Sequence, residues 1–366
     1  MKIEISRSGL QCLDLFIESA VQLSSRPANY DGFNIVVDAG PSAWMKEIAS
    51  NAKEFLKKDV SEKFRSEVPA SSNEKNIFNK LKTDIGLKSQ STFIDVFAEY
   101  IEKFTGDSED IVDQMKWFSV SSNRNTKVYT IPSIFKPEIY EVVKRPFYFG
   151  RGILDVEIPF HLMILALSGY VASRVERVKA GNNYYTAFLF TPLGERSKAE
   201  QRRFLKLLTN ARKEGIPGLH PEEGLIMWLV AKVAGLAGDE DEQLTLMLMS
   251  DPGGSNPAKL EFLRRYSLGR EVRNIGFMNE KTRSKFEQLL RNSLEEVANT
   301  KTGKSSEASY ILKKLYLALS SESALDDLLY VASRKLIESR MAKKKERFDY
   351  LYSLAVTVSR SLRERR

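Results

Sequence analysis

Lys144-Arg145-Pro146-Phe147-Tyr148-Phe149-Gly150-Arg151-Gly152 sets three basic residues among three aromatics and two glycines. Single-stranded nucleic acid calls for this mixture: aromatic faces stack bases, cations follow the backbone, and glycine lets a phosphate approach the main chain. Lys144, Arg145, Tyr148 and Arg151 are therefore candidate contacts, with a buried strand of alternating aromatics as the competing reading. A second candidate begins at Asp251-Pro252-Gly253-Gly254-Ser255-Asn256-Pro257. This loop is expected to feed a helix bearing Arg264, Arg265, Arg270 and Arg273, with Asn256 and Lys259 beside it. Such a loop could enter a groove and read base edges or minor-groove shape. A plain helix-to-helix turn is the alternative. Lys281, Arg283 and Lys285, then Arg291, Lys313 and Lys314, continue the basic surface on helix faces.

The charge map singles out the same region. Residues 1–150 carry 20 Lys+Arg against 21 Asp+Glu, and residues 151–260 carry 13 against 13. Residues 261–366 carry 23 against 14, which more than accounts for the net +8 of the chain. A basic face on ordered helices suits a polyanion, because neutralised phosphates supply affinity independent of sequence. A merely solvated face is the other explanation. The basic tail at Lys343-Lys344-Lys345 and Arg363 to Arg366 carries less weight, since chain ends of this kind are commonly solvated.

Other chemistries find little support. The single cysteine, Cys12, rules out an internal disulfide or a Cys-based zinc site and fits a reducing compartment. His161 lies in an apolar stretch and reads as a hydrogen-bonded core histidine. His220 precedes Pro221-Glu222-Glu223, the start of a helix with proline first and acids in its first turn. Asp239-Glu240-Asp241-Glu242 reads as a solvated helix start, since adjacent acids point in different directions. No nucleophile elbow, P-loop or HExxH zinc motif is present. No catalytic residue, cofactor or metal is expected. The enzymatic alternative is a metal-dependent nuclease built on scattered carboxylates such as Asp38, Asp239 or Asp241.

These candidates need elements to hold them. A chain of 366 residues with 42% apolar and 28% charged composition is globular and long enough for two domains. Lys2–Ser6 alternates as a strand, residues 9–23 have helical periodicity, and Asn34–Val37 is a short strand, an order that permits a small α/β core without excluding hairpins. Residues 43–64 read as a charged surface helix. Lys127–Ile131 and Asn183–Phe190 are strands, with a helical stretch from Phe160 to Lys179 between them. After Ser197 strands nearly vanish. Ser197 with Glu200, and Ser284 with Glu287, are capping boxes that each open a helix, and Ser323 opens another. Phe348, Leu351, Ala355, Val358 and Leu362 form the stripe of a last helix. The expectation is an α+β protein: a mixed α/β domain over 1–195 and a basic helical bundle over 196–366. Ile158 to Val171 spans 14 residues and Gly224 to Gly238 spans 15, both short of the roughly 20 needed to cross a membrane. Met1 leads straight into a strand pattern, so no secretory leader and a cytoplasmic location are expected.

The order of features resembles one known family. A mixed N-terminal part leads through Lys127-Val128-Tyr129-Thr130-Ile131-Pro132 and Phe147-Tyr148-Phe149-Gly150-Arg151-Gly152 to Tyr184-Tyr185-Thr186-Ala187-Phe188-Leu189-Phe190-Thr191-Pro192, then to a basic helical end. This resembles the large-subunit family of the archaeal type I-A CRISPR interference complex. The resemblance implies a non-catalytic subunit that contacts guide RNA and target DNA, helps recognise the motif flanking the target, and works with other subunits and a helicase–nuclease. It transfers no individual site residue. A helical scaffold for acidic partner subunits is the alternative outside enzymology.

Overall fold

The computed structural model describes residues 1–58, 79–87, 93–103, 108–116, 127–135, 157–180, 183–194, 208, 211–212, 215–218, 222–233, 243–251, 258–299, 306–320, 325–341 and 348–363. The chain folds as two compact units. One comprises Met1–Arg202 with Thr245–Arg264, the other Arg203–Leu244 with Arg265–Arg366. The architecture is α+β, with helices gathered toward the C-terminus.

In the first unit β1 (Lys2–Ser6) turns Ile3 and Ile5 inward by simple alternation. Helix α1 (Gln11–Val21) follows, then the hairpin of β2 (Ala28–Asp31) and β3 (Asn34–Asp38). Gly32, at φ +59°, supplies the left-handed backbone that this two-residue turn requires. β3 pairs antiparallel with both neighbours, so the strand–helix–strand order closes as a β1-β3-β2 antiparallel sheet. Helix α2 (Pro41–Lys58) differs from the expected surface helix. Its charges share the element with a buried face of Trp44, Met45, Ile48, Ala49, Ala52 and Leu56.

Helices α3 (Phe93–Lys103) and α4 (Ser108–Met115), the pair β4 (Val128–Thr130) and β5 (Glu157–Pro159), and helix α5 (Phe160–Ser173) complete this region. Helix α5 is apolar on every face and accordingly buried almost throughout. It packs on α1 and α2. The expected continuation of this helix to Lys179 does not occur. From Arg174 the chain becomes β6 (Arg174–Ala180), which pairs antiparallel with the aromatic-rich β7 (Asn183–Phe190), with a register irregularity between Arg174 and Glu176.

A further departure follows. β8 (Gln243–Asp251) and β9 (Lys259–Ser267) extend the sheet in the order β6-β7-β8-β9, although the sequence leads one to expect almost no strands after Ser197. The run Leu244-Thr245-Leu246-Met247-Leu248-Met249 is apolar but for Thr245, a pattern equally compatible with a buried helix, and pairing with β7 decides it. Phe16 sits among Phe135, Phe188, Phe190 and Tyr170, with ring centroids 5.1 to 5.9 Å away.

The second unit centres on α6 (Glu222–Val233), on which α7 (Gly269–Gly276), α8 (Glu280–Asn299) and α9 (Ser306–Ser320) pack. Helix α10 (Leu325–Met341) packs on α9, and α11 (Asp349–Arg363) packs on α8 and α10. The expected stripe of α11 is buried in full: Phe348, Leu351, Ala355, Val358 and Leu362. The cap of α8 lies one turn earlier than expected. Asn279 Oδ1 accepts from the Thr282 N–H at 2.9 Å, which leaves Ser284 inside the helix. The Ser197/Glu200 cap lies outside the described residues, as do residue 323, His220 and the acids at 239–242.

His161 is a core histidine, as its apolar surroundings suggested. It is 0% exposed, and Tyr100 Oη lies 3.0 Å from its Nδ1. Burial lowers its pKa to about 4, against the opposing pull of Asp110. The folded protein therefore holds a neutral ring where the unfolded chain would protonate near 6.5. Its contribution to stability is complete above pH 6.5 and is lost as pH falls toward 4, a loss of about 3 kcal/mol. Urea midpoints measured from pH 7 to pH 4 should show this decline, and His161→Gln should remove that part of it.

Candidate nucleic-acid interface

The basic candidates distribute over three elements. Lys259 and Arg264 lie on β9 in the first unit, both exposed. Arg265 is the first residue of that strand assigned to the second unit, and its guanidinium bonds Gln243 Oε1 at 2.5 Å. The helix expected to carry Arg264 and Arg265 is thus a strand. Its exposures roughly alternate from Lys259, the period of a pleat rather than a helix. Lys144, Arg145, Tyr148, Arg151 and Asn256 lie outside the described residues.

The remaining five sit on α7 and the first turns of α8. Helix α7 is only eight residues long, but its two sides differ sharply. Glu271, Val272, Asn274 and Ile275 face inward, while Arg270 and Arg273 are exposed. Three interactions fix its orientation. The amide of Asn274 donates to the Leu319 carbonyl at 2.6 Å, and Arg270 donates to that of Ser320 at 3.3 Å. The third is the bond between buried Glu271 and Tyr316. Burial raises the Glu271 pKa, and burial with that carboxyl beside it pushes the Tyr316 hydroxyl up to about 12.

Lys281, Arg283 and Lys285 follow directly. Lys281, in the first turn of α8, opposes the positive end of its dipole, at a cost of roughly 0.3–1 kcal/mol at an exposed site. Among the described residues, none of Arg270, Arg273, Lys281, Arg283 and Lys285 forms an ion pair; Arg273 Nε bonds only its own helix, at the Gly269 carbonyl. The other bundle cations behave differently. Lys313 faces Glu223 at 3.9 Å, Lys314 Asp327 at 2.5 Å, Arg291 Glu295 at 2.9 Å, and Lys335 lies between Glu307 and Glu338. Arg340 and Arg363 pair with Asp349 and Asp326. Among the described residues much of the C-terminal charge is therefore neutralised within the bundle, and Arg270, Arg273, Lys281, Arg283 and Lys285 are the largest run of cations left without an ion pair.

Sequence reasoning missed one residue here. Phe277, in the link between α7 and α8, is 60% exposed and stands between Arg273 and Lys281. The signal was available: an aromatic directly after Gly276, at a helix end and flanked by cations. No group of three or more His, Cys, Asp or Glu residues is placed to hold a metal among the described residues. Nor is any helix among them long and apolar enough to cross a membrane.

The fold defines an α+β protein whose helical unit carries five basic residues and an exposed aromatic between residues 270 and 285. The family model for the CRISPR-associated protein CsaX matches residues 42–336, and the chain belongs to that family. The match takes in all of these residues. No curated protein matches the chain.

Proposed function

We propose that this CRISPR-associated protein is a non-catalytic nucleic-acid-binding subunit of an interference complex, of the type I-A kind that its order of features resembles. The observation that carries the reading is the strip on α7 and α8. Four exposed cations and the half-buried Arg283, none in an ion pair among the described residues, flank an exposed aromatic, on a chain of a CRISPR-associated family. Guide RNA and target DNA are polyanions, and a protein that leaves sequence reading to base pairing needs backbone contacts rather than a catalytic centre. Contribution to recognition of the flanking motif, and contact with other subunits and a helicase–nuclease, follow from the same resemblance.

In this arrangement Arg270, Arg273, Lys281, Arg283 and Lys285 contact phosphates, and Phe277 stacks on an unpaired base. Arg265, in the same unit, is a further phosphate candidate, and Lys259 and Arg264 are separate candidates on β9 of the first unit. A stacked base is worth about 1–3 kcal/mol. Phe277→Ala should therefore weaken single-strand binding by roughly tenfold and leave duplex binding nearly unchanged. Fluorescence anisotropy on matched single-stranded and duplex oligonucleotides checks this. Equal losses on both would remove Phe277 from the site.

A further inference from the structure

Helix α8 carries a polar face that continues past the cations of the strip. Lys281, Lys285, Gln288 and Asn292 follow one another at spacings of four, three and four residues, so they form one ridge along three turns of the helix. The first three are exposed and Asn292 is half-buried. The other side of the helix, with Phe286, Leu290, Leu294 and Val297, is buried in the second unit.

Two features separate this ridge from an ordinary solvated face. The first is charge. A solvated helix gains from opposite charges three or four residues apart, as Arg334 and Glu338 show on α10 at 2.8 Å. Lys281 and Lys285 have no acid at those spacings and stand four residues from each other, an arrangement that disfavours the helix. The carboxylates nearby are engaged: Glu287 accepts from Lys232 at 2.8 Å and Glu295 from Arg291 at 2.9 Å. The second feature is order. The cations occupy the N-terminal end of the ridge, beside Arg270, Arg273 and Phe277, and the two amides lie one and two turns further along. A polyanion gripped at the cations therefore runs on past Gln288 and Asn292.

We propose that α8 enters the major groove of duplex DNA and reads adenine there. The inference rests on the nucleic-acid reading of the strip and adds a sequence preference to it. The groove of B-form DNA is about 12 Å wide and admits an α-helix, whereas the deep, narrow major groove of duplex RNA does not. The cations hold phosphates, and Gln288 and Asn292 meet base edges. An amide side chain presents a donor and an acceptor side by side, which matches the N6 amino group and N7 of adenine. Four residues of helix rise about 6 Å, so the two amides address adenines roughly two base pairs apart.

Fluorescence anisotropy of the full chain with DNA duplexes of equal length tests this. An all-A·T duplex should bind at least about tenfold more tightly than an all-G·C duplex. Replacing each adenine by 7-deazaadenine removes N7 but keeps the base pairs and the minor groove, and should abolish the preference. The double variant Gln288→Ala, Asn292→Ala should bind the two duplexes equally, with the salt dependence and unfolding midpoint of the parent. If that variant fails to fold, the 7-deazaadenine comparison on the parent decides alone. A preference that survives 7-deazaadenine comes from DNA shape and overturns the proposal, as does one that the folded double variant keeps. A parent that binds both duplexes equally and with steep salt dependence overturns the base reading and leaves the phosphate surface standing. A parent that binds no nucleic acid overturns both.

Discussion

Gly169→Ala is expected to destabilise the first unit by at least about 3 kcal/mol, beyond the usual 1–3 kcal/mol of core overpacking. Helices α1 and α5 meet at this glycine. A Cβ built there would lie 1.7 Å from the Phe16 carbonyl oxygen and 2.6 Å from its carbonyl carbon. Both atoms belong to the backbone, so no rotamer change relieves the clash. The two helices would have to part, and Phe16 would be drawn from the aromatic cluster it forms with Phe135, Phe188 and Phe190. Closely packed interiors do not absorb such a shift locally. Urea unfolding of purified Gly169→Ala against the parent measures the loss. Gly194→Ala serves as a control, because a Cβ there meets nothing within 4 Å. A midpoint for Gly169→Ala equal to that of the control would contradict the packing described.

The second large effect concerns the strip itself. Replacing Arg270, Arg273, Lys281, Arg283 and Lys285 together with glutamine should weaken nucleic-acid binding by roughly a hundredfold or more at low salt. Folding should survive, because none of the five is buried or forms an ion pair among the described residues, and Asn274 and Glu271 still fix α7 once the Arg270 bond is lost. Removing Lys281 from the first turn of α8 should slightly favour that helix. The same variant distinguishes a protein-binding scaffold. In that case subunit assembly would fail while affinity for RNA and DNA stayed at the parental level.

Much of this fold can be read along the chain, for identifiable reasons. Lys2–Ser6 and Asn183–Phe190 alternate or cluster β-branched and aromatic residues, and both strands fall where those residues predict. The stripe from Phe348 to Leu362 repeats at three and four residues, and that helix buries it. β8 escaped because a nearly unbroken apolar run has no clear period of its own; only its partner strand β7 tells it from a helix. β9 escaped because the adjacent Arg264 and Arg265 look like a helix face when the alternation around them is ignored. At the interface, charge was legible and its cancellation was not. Lys313 and Lys314 count as basic in sequence, yet Glu223 and Asp327 from other helices meet them. A cavity of the first unit was hidden for the same reason. Asp84, Tyr100, Asp110, Tyr129 and Phe160 come from separate segments that only folding brings together.

The salt dependence of binding tests the central claim most directly. Affinity of the full chain for a guide-length RNA and for a matched DNA duplex should be titrated from 50 to 300 mM salt, for the parent and the fivefold glutamine variant. Five phosphate contacts predict that log affinity falls against log salt with a parental slope of at least about 3.5–4.5, and that the slope drops by about that amount in the variant. Parental binding that is absent, or a slope that is flat or identical in the two proteins, would contradict the assignment of the α7–α8 strip as the nucleic-acid surface.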